Sequence, residues 1–304
     1  GYAPVVQCKS CGTVPQCPHC DVSLTYHHSR NQLRCHYCGY AIAMPQTCVA
    51  CGSADLTTKG FGTEQISKEA SELFPNATID RMDQDTTNGK YGYEKILSQF
   101  EQQQTQILVG TQMISKGLDF ENVGLVGVMS ADASFHIPDF RAYERSFQLL
   151  LQVSGRAGRS AKKGKVLIQT YNPQHPVLQQ VLHSDFKGMY AQQMQERQEY
   201  LYPPLVRLVK ITFKHTDFNQ VNEGAAWFAQ ALLQAFEAHS GVHILGPEFP
   251  LISRIRNEYM KDILVKIEPS KVSPSAVKTQ LLRIETSFQA IGKFRAVKVI
   301  YTVD

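Results

Sequence analysis

Eight cysteines fall in four Cys-x-x-Cys pairs, Cys8/Cys11, Cys17/Cys20, Cys35/Cys38 and Cys48/Cys51, and none lies beyond residue 51. Two thiolates separated by two residues turn onto one tetrahedral ion, and two such pairs close a structural zinc site with no position left for water. The spacing therefore predicts two zinc ions. A disulfide framework is the competing reading, but it belongs to small secreted domains without another core, and here a large cysteine-free body follows. Fourteen residues separate Cys20 from Cys35, close to zinc-ribbon hairpin spacing. The expected arrangement is thus nested: Cys17, Cys20, Cys35 and Cys38 around one ion, and Cys8, Cys11, Cys48 and Cys51 around the other. Sequential pairing of the first two and last two pairs stays open as the second arrangement. His19, His27, His28 and His36 add donors, but the cysteines already fill both sites. Leu24, Tyr26, His27, His28, Arg30, Leu33 and Arg34 give the hairpin between the inner pairs aromatic and basic groups suited to DNA or a partner, or simply a solvated surface.

Two further stretches have the residue types of phosphate chemistry. Gly110-Thr111-Gln112-Met113-Ile114-Ser115-Lys116-Gly117-Leu118-Asp119 follows an apolar strand-like run. Its glycines allow close backbone approach to a phosphate, Thr111 and Lys116 supply a hydroxyl and a charge, and Asp119 is placed to accept from a ribose. Gln152-Val153-Ser154-Gly155-Arg156-Ala157-Gly158-Arg159 ends a helical pattern. If the helix continues, Arg156 and Arg159 project from one face, set to neutralise charge on a transferring phosphoryl group. Each stretch alone also fits an ordinary Gly-rich loop or a surface arginine pair.

The elements that must position these groups alternate between strand and helix from about residue 60 to 172, the pattern of a parallel sheet covered on both faces. Thr63 is the expected N-cap of a helix burying Ile66, Ala70, Leu73 and Phe74 and ended by Pro75 and Asn76. Strands are expected at 78–82, 107–110, 125–129 and 166–171, with helices carrying Tyr93, Ile96, Leu97 and Phe100, and Phe140, Tyr143, Phe147 and Leu150. In such a sheet ligands bind at the loops beyond the strand ends. A helical stretch from His175 to Gln198 leads to Tyr202-Pro203-Pro204, an expected boundary. Beyond it the order reads strand (205–215), helix (218–239), strand (242–245), strand (262–267), helix (273–288), strand (294–302), a βαββαβ α+β domain of ferredoxin-like type. Ser273 and Pro274 read as a capping hydroxyl and an N1 proline, and Trp227 and Phe228 as core. The loop with Arg254, Arg256, Asn257, Tyr259 and Lys261 is basic and aromatic. Four segments are expected: 1–7 opening the α/β lobe, 8–51 the zinc module, 52–203 the rest of the lobe, and 204–304 the α+β domain.

With 304 residues, 43% hydrophobic and 19% charged, the chain is long enough for two or three folded domains, and no apolar run is long enough to span a bilayer. A net charge of +4 makes any nucleic-acid surface local. The opening at Gly1, without a methionine, suggests a piece of a longer protein.

In this order on this sheet, the two loops resemble motifs V and VI of superfamily 2 helicases, and the Gln-x-x-Gly-Arg-x-Gly-Arg match is complete. Gly62-Thr63-Glu64-Gln65 is similar to that family's preceding DNA-contact motif, and residues 81–87 to the strand and loop after it. With the cysteine pairs set directly before Gly60, the chain resembles the primosomal replication-restart branch, from Gly1 to about Pro204 and more weakly to the C-terminus. The resemblance implies the second RecA-like lobe of a 3′-to-5′ DNA helicase, with an inserted two-zinc Cys-rich module and a C-terminal domain like a small-ribosomal-subunit protein. It implies that Arg156 and Arg159, supported by Gln152, complete the catalytic site, and that Gly117 and Asp119 lie with those arginines at ATP. It implies that Thr63, Thr111 and Lys116 touch the DNA backbone, and that the C-terminal domain, Arg254 and Arg256 included, helps bind DNA and the acidic tail of the single-strand-binding protein. Mg and ATP would be held by a first lobe, because no Gly-x-x-x-x-Gly-Lys-Ser/Thr loop or Asp-Glu-x-His box occurs here. This polypeptide alone is therefore expected not to hydrolyse ATP. Forked and single-stranded DNA and helicase-loading primosome proteins are the implied partners, in the cytoplasm at the nucleoid. A zinc-ribbon nucleic-acid-binding protein without catalysis, and a protein-docking platform, are the competing functions.

Overall fold

The structure, a computed structural model, describes residues 4–60, 62–83, 86–87, 92–115, 122–157 and 164–304. Two compact units result: Pro4 with residues 60–195, and residues 5–59 packed together with 196–304. The zinc module thus builds a common body with the C-terminal domain.

In the module, β1 (Val5–Cys8) leads in, β2 (Thr25–His27), β3 (Gln32–Arg34) and β4 (Ala41–Ala43) form an antiparallel sheet, and β5 (Leu56–Lys59) leads out. β1 and β5 pair antiparallel, Cys8 opposite Leu56, so the two ends of the segment close on each other. Its apolar core is small: Val6, Leu24 and Leu33 are fully buried, alongside Cys17, Cys20 and Cys35. A core of this size needs a further staple such as a structural metal.

The unit built on residues 60–195 runs α1 (Thr63–Leu73), β6 (Ile79–Met82), α2 (Gly92–Glu101), β7 (Ile107–Gly110), β8 (Leu125–Val128), α3 (Asp132–Phe135), α4 (Ala142–Ser154), β9 (Lys165–Ile168), α5 (Pro176–Leu182) and the start of α6 (Phe186–Glu199). β6 pairs parallel with β7, and β8 with β9, as an α/β lobe requires. α4 buries Phe147 and Leu150 against Val177, Leu178 and Val181 of α5, Phe135 of α3 and Met189 of α6. Three local expectations are revised. The N-cap of α1 is Gly62, in extended conformation, and Thr63 is its first helical residue, because the Thr63 hydroxyl is engaged by Asp83. The stretch from 175 to 198 is two helices: Ser184 adopts a left-handed backbone, and Asp185 restarts the chain by accepting from the Gly188 N–H at 2.8 Å. α4 ends at Ser154, and Arg156 and Ala157 continue in tight i to i−3 turns to Val153 and Ser154, so α-helical geometry does not extend to Arg156.

The C-terminal domain runs β10 (Arg207–His215), α7 (Phe218–Phe236), β11 (Val242–Glu248), β12 (Arg254–Ile255), β13 (Glu258–Ile267), α8 (Pro274–Ala290), β14 (Lys298–Val303). The antiparallel order β11-β13-β10-β14, with β12 added to β13, is the expected ferredoxin-like arrangement with one extra short strand. Alternation along β10 sends Ile211 and Phe213 under the helices, where Phe228 of α7 and Phe288 of α8 meet them, all four fully buried. Each such side chain contributes roughly 1.5–3 kcal/mol on burial. Gly224 allows the two helices to approach, since a Cβ there would lie 3.2 Å from the Phe288 ring. Asp217 caps α7 through the Asn219 and Gln220 N–H groups. Ser273 stands at the N-cap of α8 with Pro274 following, but its hydroxyl pairs with that of Ser275 at 2.8 Å and makes no cap bond.

Candidate metal centres and strand-end loops

The eight thiols meet as two sets, Cys8, Cys11, Cys48 and Cys51, and Cys17, Cys20, Cys35 and Cys38, each with all four sulfurs within 4.8 Å of one another. This is the nested arrangement, and sequential pairing is excluded. Cys8 Sγ lies 3.6 Å from Cys51 Sγ, Cys11 Sγ 3.6 Å from Cys48 Sγ, and Cys17 Sγ 3.5 Å from Cys38 Sγ. A tetrahedral ion with Zn–S bonds of about 2.3 Å requires sulfur–sulfur edges of about 3.8 Å, so both cages fit zinc. Hydrogen bonds with Thr13 hold the Cys11 thiol down to about 6, whereas burial pushes Cys17 up to about 12. A thiol buried like Cys17 ionises at neutral pH only beside a cation. Among the described residues the histidines join neither set; His19 stacks edge-on against Tyr40.

Backbone turns explain the cages. In three pairs the residue after the second cysteine is a glycine with positive φ, Gly12, Gly39 and Gly52, whose N–H donates to the carbonyl of the first cysteine. The fourth pair has Asp21 in that place, and its N–H donates instead to Arg254 O of the C-terminal domain at 2.9 Å. Arg254 Nε reaches Asp21 Oδ1 at 3.0 Å, and Arg256 Nε donates to Tyr37 O at 3.1 Å. The two arginines expected from sequence to meet DNA thus have neighbours within the module.

In the other unit, β6 and β7 present Asp83 and Thr111 beyond their C-terminal ends. Asp83, 8% exposed, accepts from the Thr63 hydroxyl, pairs with Arg81 Nε at 3.0 Å, and accepts from the Thr86 N–H at 3.1 Å. It ties the start of α1 to the strand end. Sequence reasoning placed Asp83 within the segment 81–87 but gave it no role of its own, although Asp83 followed three residues later by Thr86 is a local turn signal. Gly110 is needed sterically: a Cβ would stand 2.6 Å from Met82 O and 2.8 Å from Ile114 Cγ2. Gly110→Ala is expected to lower unfolding stability by about 1–3 kcal/mol, read as a reduced denaturant midpoint at unchanged slope.

The turn Gln112–Ser115 lies against α4, so the loop after β7 and the helix carrying Gln152 are neighbours. Gln152 is exposed, and Arg156, four residues on, is half-buried. Lys116, Gly117, Asp119 and Arg159 lie outside the described residues. Beyond the ends of β8 and β9, Asp132 at the start of α3 accepts from Thr170 Oγ1 at 2.8 Å and the Tyr171 N–H at 3.1 Å; burial raises its pKa, and these bonds outweigh it and hold the carboxyl below its usual value. The ring of His175 stacks on Phe135 at 4.1 Å, and burial depresses its pKa.

Family models for the PriA DNA helicase Cys-rich region match residues 17–42, for a helicase conserved C-terminal domain residues 46–161, and for the primosomal protein N C-terminal domain residues 198–304. Replication restart protein PriA of Bacillus subtilis is 46% identical over 88% of this chain and 33% of its own length. That of Synechocystis is 40% identical over 88% of this chain and 32% of its own length. That of Haemophilus influenzae is 36% identical over 100% of this chain and 40% of its own length. The chain therefore spans between about a third and two fifths of these relatives. No helix among the described residues is long and apolar enough to cross a membrane.

Proposed function

The chain belongs to the PriA family of replication restart proteins, matching their C-terminal part, and we propose that it forms the second motor lobe, metal module and docking domain of an ATP-dependent 3′-to-5′ DNA helicase. Its task in that reading is to remodel stalled forks and reload the replication machinery through primosome assembly. The observation that carries the reading is the Gln152–Arg159 sequence running off α4 where that helix lies against the turn after β7.

At the closed interface of two lobes, Arg156 and Arg159 neutralise charge spreading over the transferring phosphoryl oxygens, and Gln152 orients the attacking water or the arginines. Gly117 and Asp119 line the nucleotide, and the first lobe's P-loop and acidic box hold phosphates and Mg. Thr63, Thr111 and Lys116 track the DNA backbone, with Asp83 fixing the height of the α1 N-terminus on which Thr63 sits. Lobe closure and reopening around these contacts steps the strand along. Two zinc ions make the module rigid. Arg254 and Arg256, with the rest of the C-terminal domain, are proposed to meet forked or single-stranded DNA and the acidic single-strand-binding-protein tail, and helicase-loading proteins complete the partners, at the nucleoid in the cytoplasm.

Purified alone, this polypeptide is expected to show no DNA-stimulated ATP hydrolysis. Joined to a lobe bearing a P-loop and an Asp-Glu-x-His box, it should turn over ATP and unwind forks from a 3′ tail. Turnover by the isolated chain that vanished with Arg156→Ala would overturn the division between lobes.

A further inference from the structure

One metal cage is buttressed by a distant part of the chain. β12 and β13 are joined by a tight turn in which Arg256 (φ 54) and Asn257 (φ 62) both adopt left-handed backbone, and this turn seats on the Cys17–Cys20 knuckle. The Arg256 N–H donates to Cys20 Sγ at 3.3 Å, and the Asn257 N–H to His19 O at 2.8 Å. Asp21 takes the hydroxyl of Ser253 at 2.7 Å as well as the Arg254 guanidinium. Ile255 packs onto the module's small core. No such clamp reaches the other cage among the described residues, where Gly12 and Gly52 close their knuckles locally.

We propose that the turn Arg256–Asn257 is an outer shell of the Cys17/Cys20/Cys35/Cys38 site, so that zinc loading there and docking of the C-terminal domain on the module are energetically linked. The linkage has a direct physical source. Cys20 as a metal-bound thiolate carries negative charge and is a strong acceptor for the Arg256 N–H, whereas a neutral thiol is a weak one. Metal also fixes the knuckle that presents His19 O and the Asp21 N–H in the register the turn requires. Because coupling is reciprocal, a docked turn raises zinc affinity, and a lost zinc loosens the turn. Asp21 is the sequence mark of the device: at this knuckle alone, glycine is replaced by a residue whose N–H and carboxylate both face outward to the C-terminal domain.

The inference rests on zinc occupying both cages, so metal analysis of the unaltered protein comes first; fewer than two zinc ions per chain would remove that premise before any variant is compared. With two present, zinc release to a chelator is followed while freed thiols are alkylated and mapped, which assigns each release phase to its cage. Asp21→Ala combined with Arg254→Ala should speed release from Cys17/Cys20/Cys35/Cys38 by about tenfold or more, the scale of outer-shell losses at metal sites, and leave Cys8/Cys11/Cys48/Cys51 unchanged. The exchange Asp21→Arg with Arg254→Asp should restore part of the loss. In the reverse direction, Cys35→Ser should expose the amides of residues 253–258 to hydrogen exchange, and Cys48→Ser should not. Equal acceleration at both cages, or none at either, would refute the linkage.

Discussion

Replacing Arg156 with alanine is expected to lower DNA-stimulated ATP turnover by about a thousandfold in a protein that carries both lobes, the scale on which arginine fingers act. The effect should fall on kcat. Charge on the phosphoryl oxygens develops in the transition state, so an arginine aimed there contributes little to ground-state nucleotide affinity. Stability should change little, because α4 is anchored by Phe147 and Leu150, and Arg156 follows its last turn. Arg156→Lys should recover only a small part, since an ammonium cannot reproduce two fixed, parallel donors. Steady-state turnover, with nucleotide and single-stranded DNA affinities measured alongside, decides the matter. A loss below tenfold, or a loss matched by weaker nucleotide binding, would remove Arg156 from the catalytic step and leave it a binding or structural residue.

Local chemistry was legible in the sequence where spacing alone constrains it. Cys-x-x-Cys pairs fix which thiols can share an ion, and the fourteen-residue gap between Cys20 and Cys35 favoured the nesting that the sulfur cages display. Alternation and helical periodicity likewise located β10 and α7, because Ile211, Phe213 and Phe228 face one continuous core. Long-range placement was not legible. The module's place as an insertion in the chain order was legible, but not its packing against the C-terminal domain, where the contact uses main-chain atoms of Arg254, Arg256 and Asn257 that no side-chain pattern announces. Arg254 and Arg256 read from composition as a basic loop for DNA; structure adds that Asp21 and Tyr37 O are their neighbours. The missing glycine at residue 21 was visible in the sequence, but only the comparison of four knuckles gives it meaning. Helix ends failed for a similar reason: Thr63 has a capping side chain, and Asp83, twenty residues later, claims it.

Removing zinc should unfold the module while sparing most of the C-terminal domain. Structural zinc contributes an apparent binding energy of roughly 10–16 kcal/mol in small zinc-dependent domains, and residues 5–59 have little else to replace it. Val6, Leu24 and Leu33 are their fully buried aliphatic side chains, and the described strands β2, β3 and β4 have three residues each. The C-terminal domain has its own core of phenylalanines on a sheet whose strands β10 and β13 pair over nine residue positions. Chelation should therefore abolish hydrogen-exchange protection across β1–β5 and leave β10, β13, α7 and α8 protected, with the turn at residues 253–258 the exception. Acid should act as chelation does, because each cysteine must lose its proton to bind metal, and protons compete for the thiolates as pH falls. If β1–β5 kept their protection after both ions were removed, the module's stability would have to come from its apolar contacts and the β1–β5 pairing. The cages would then serve redox or metal sensing in place of folding.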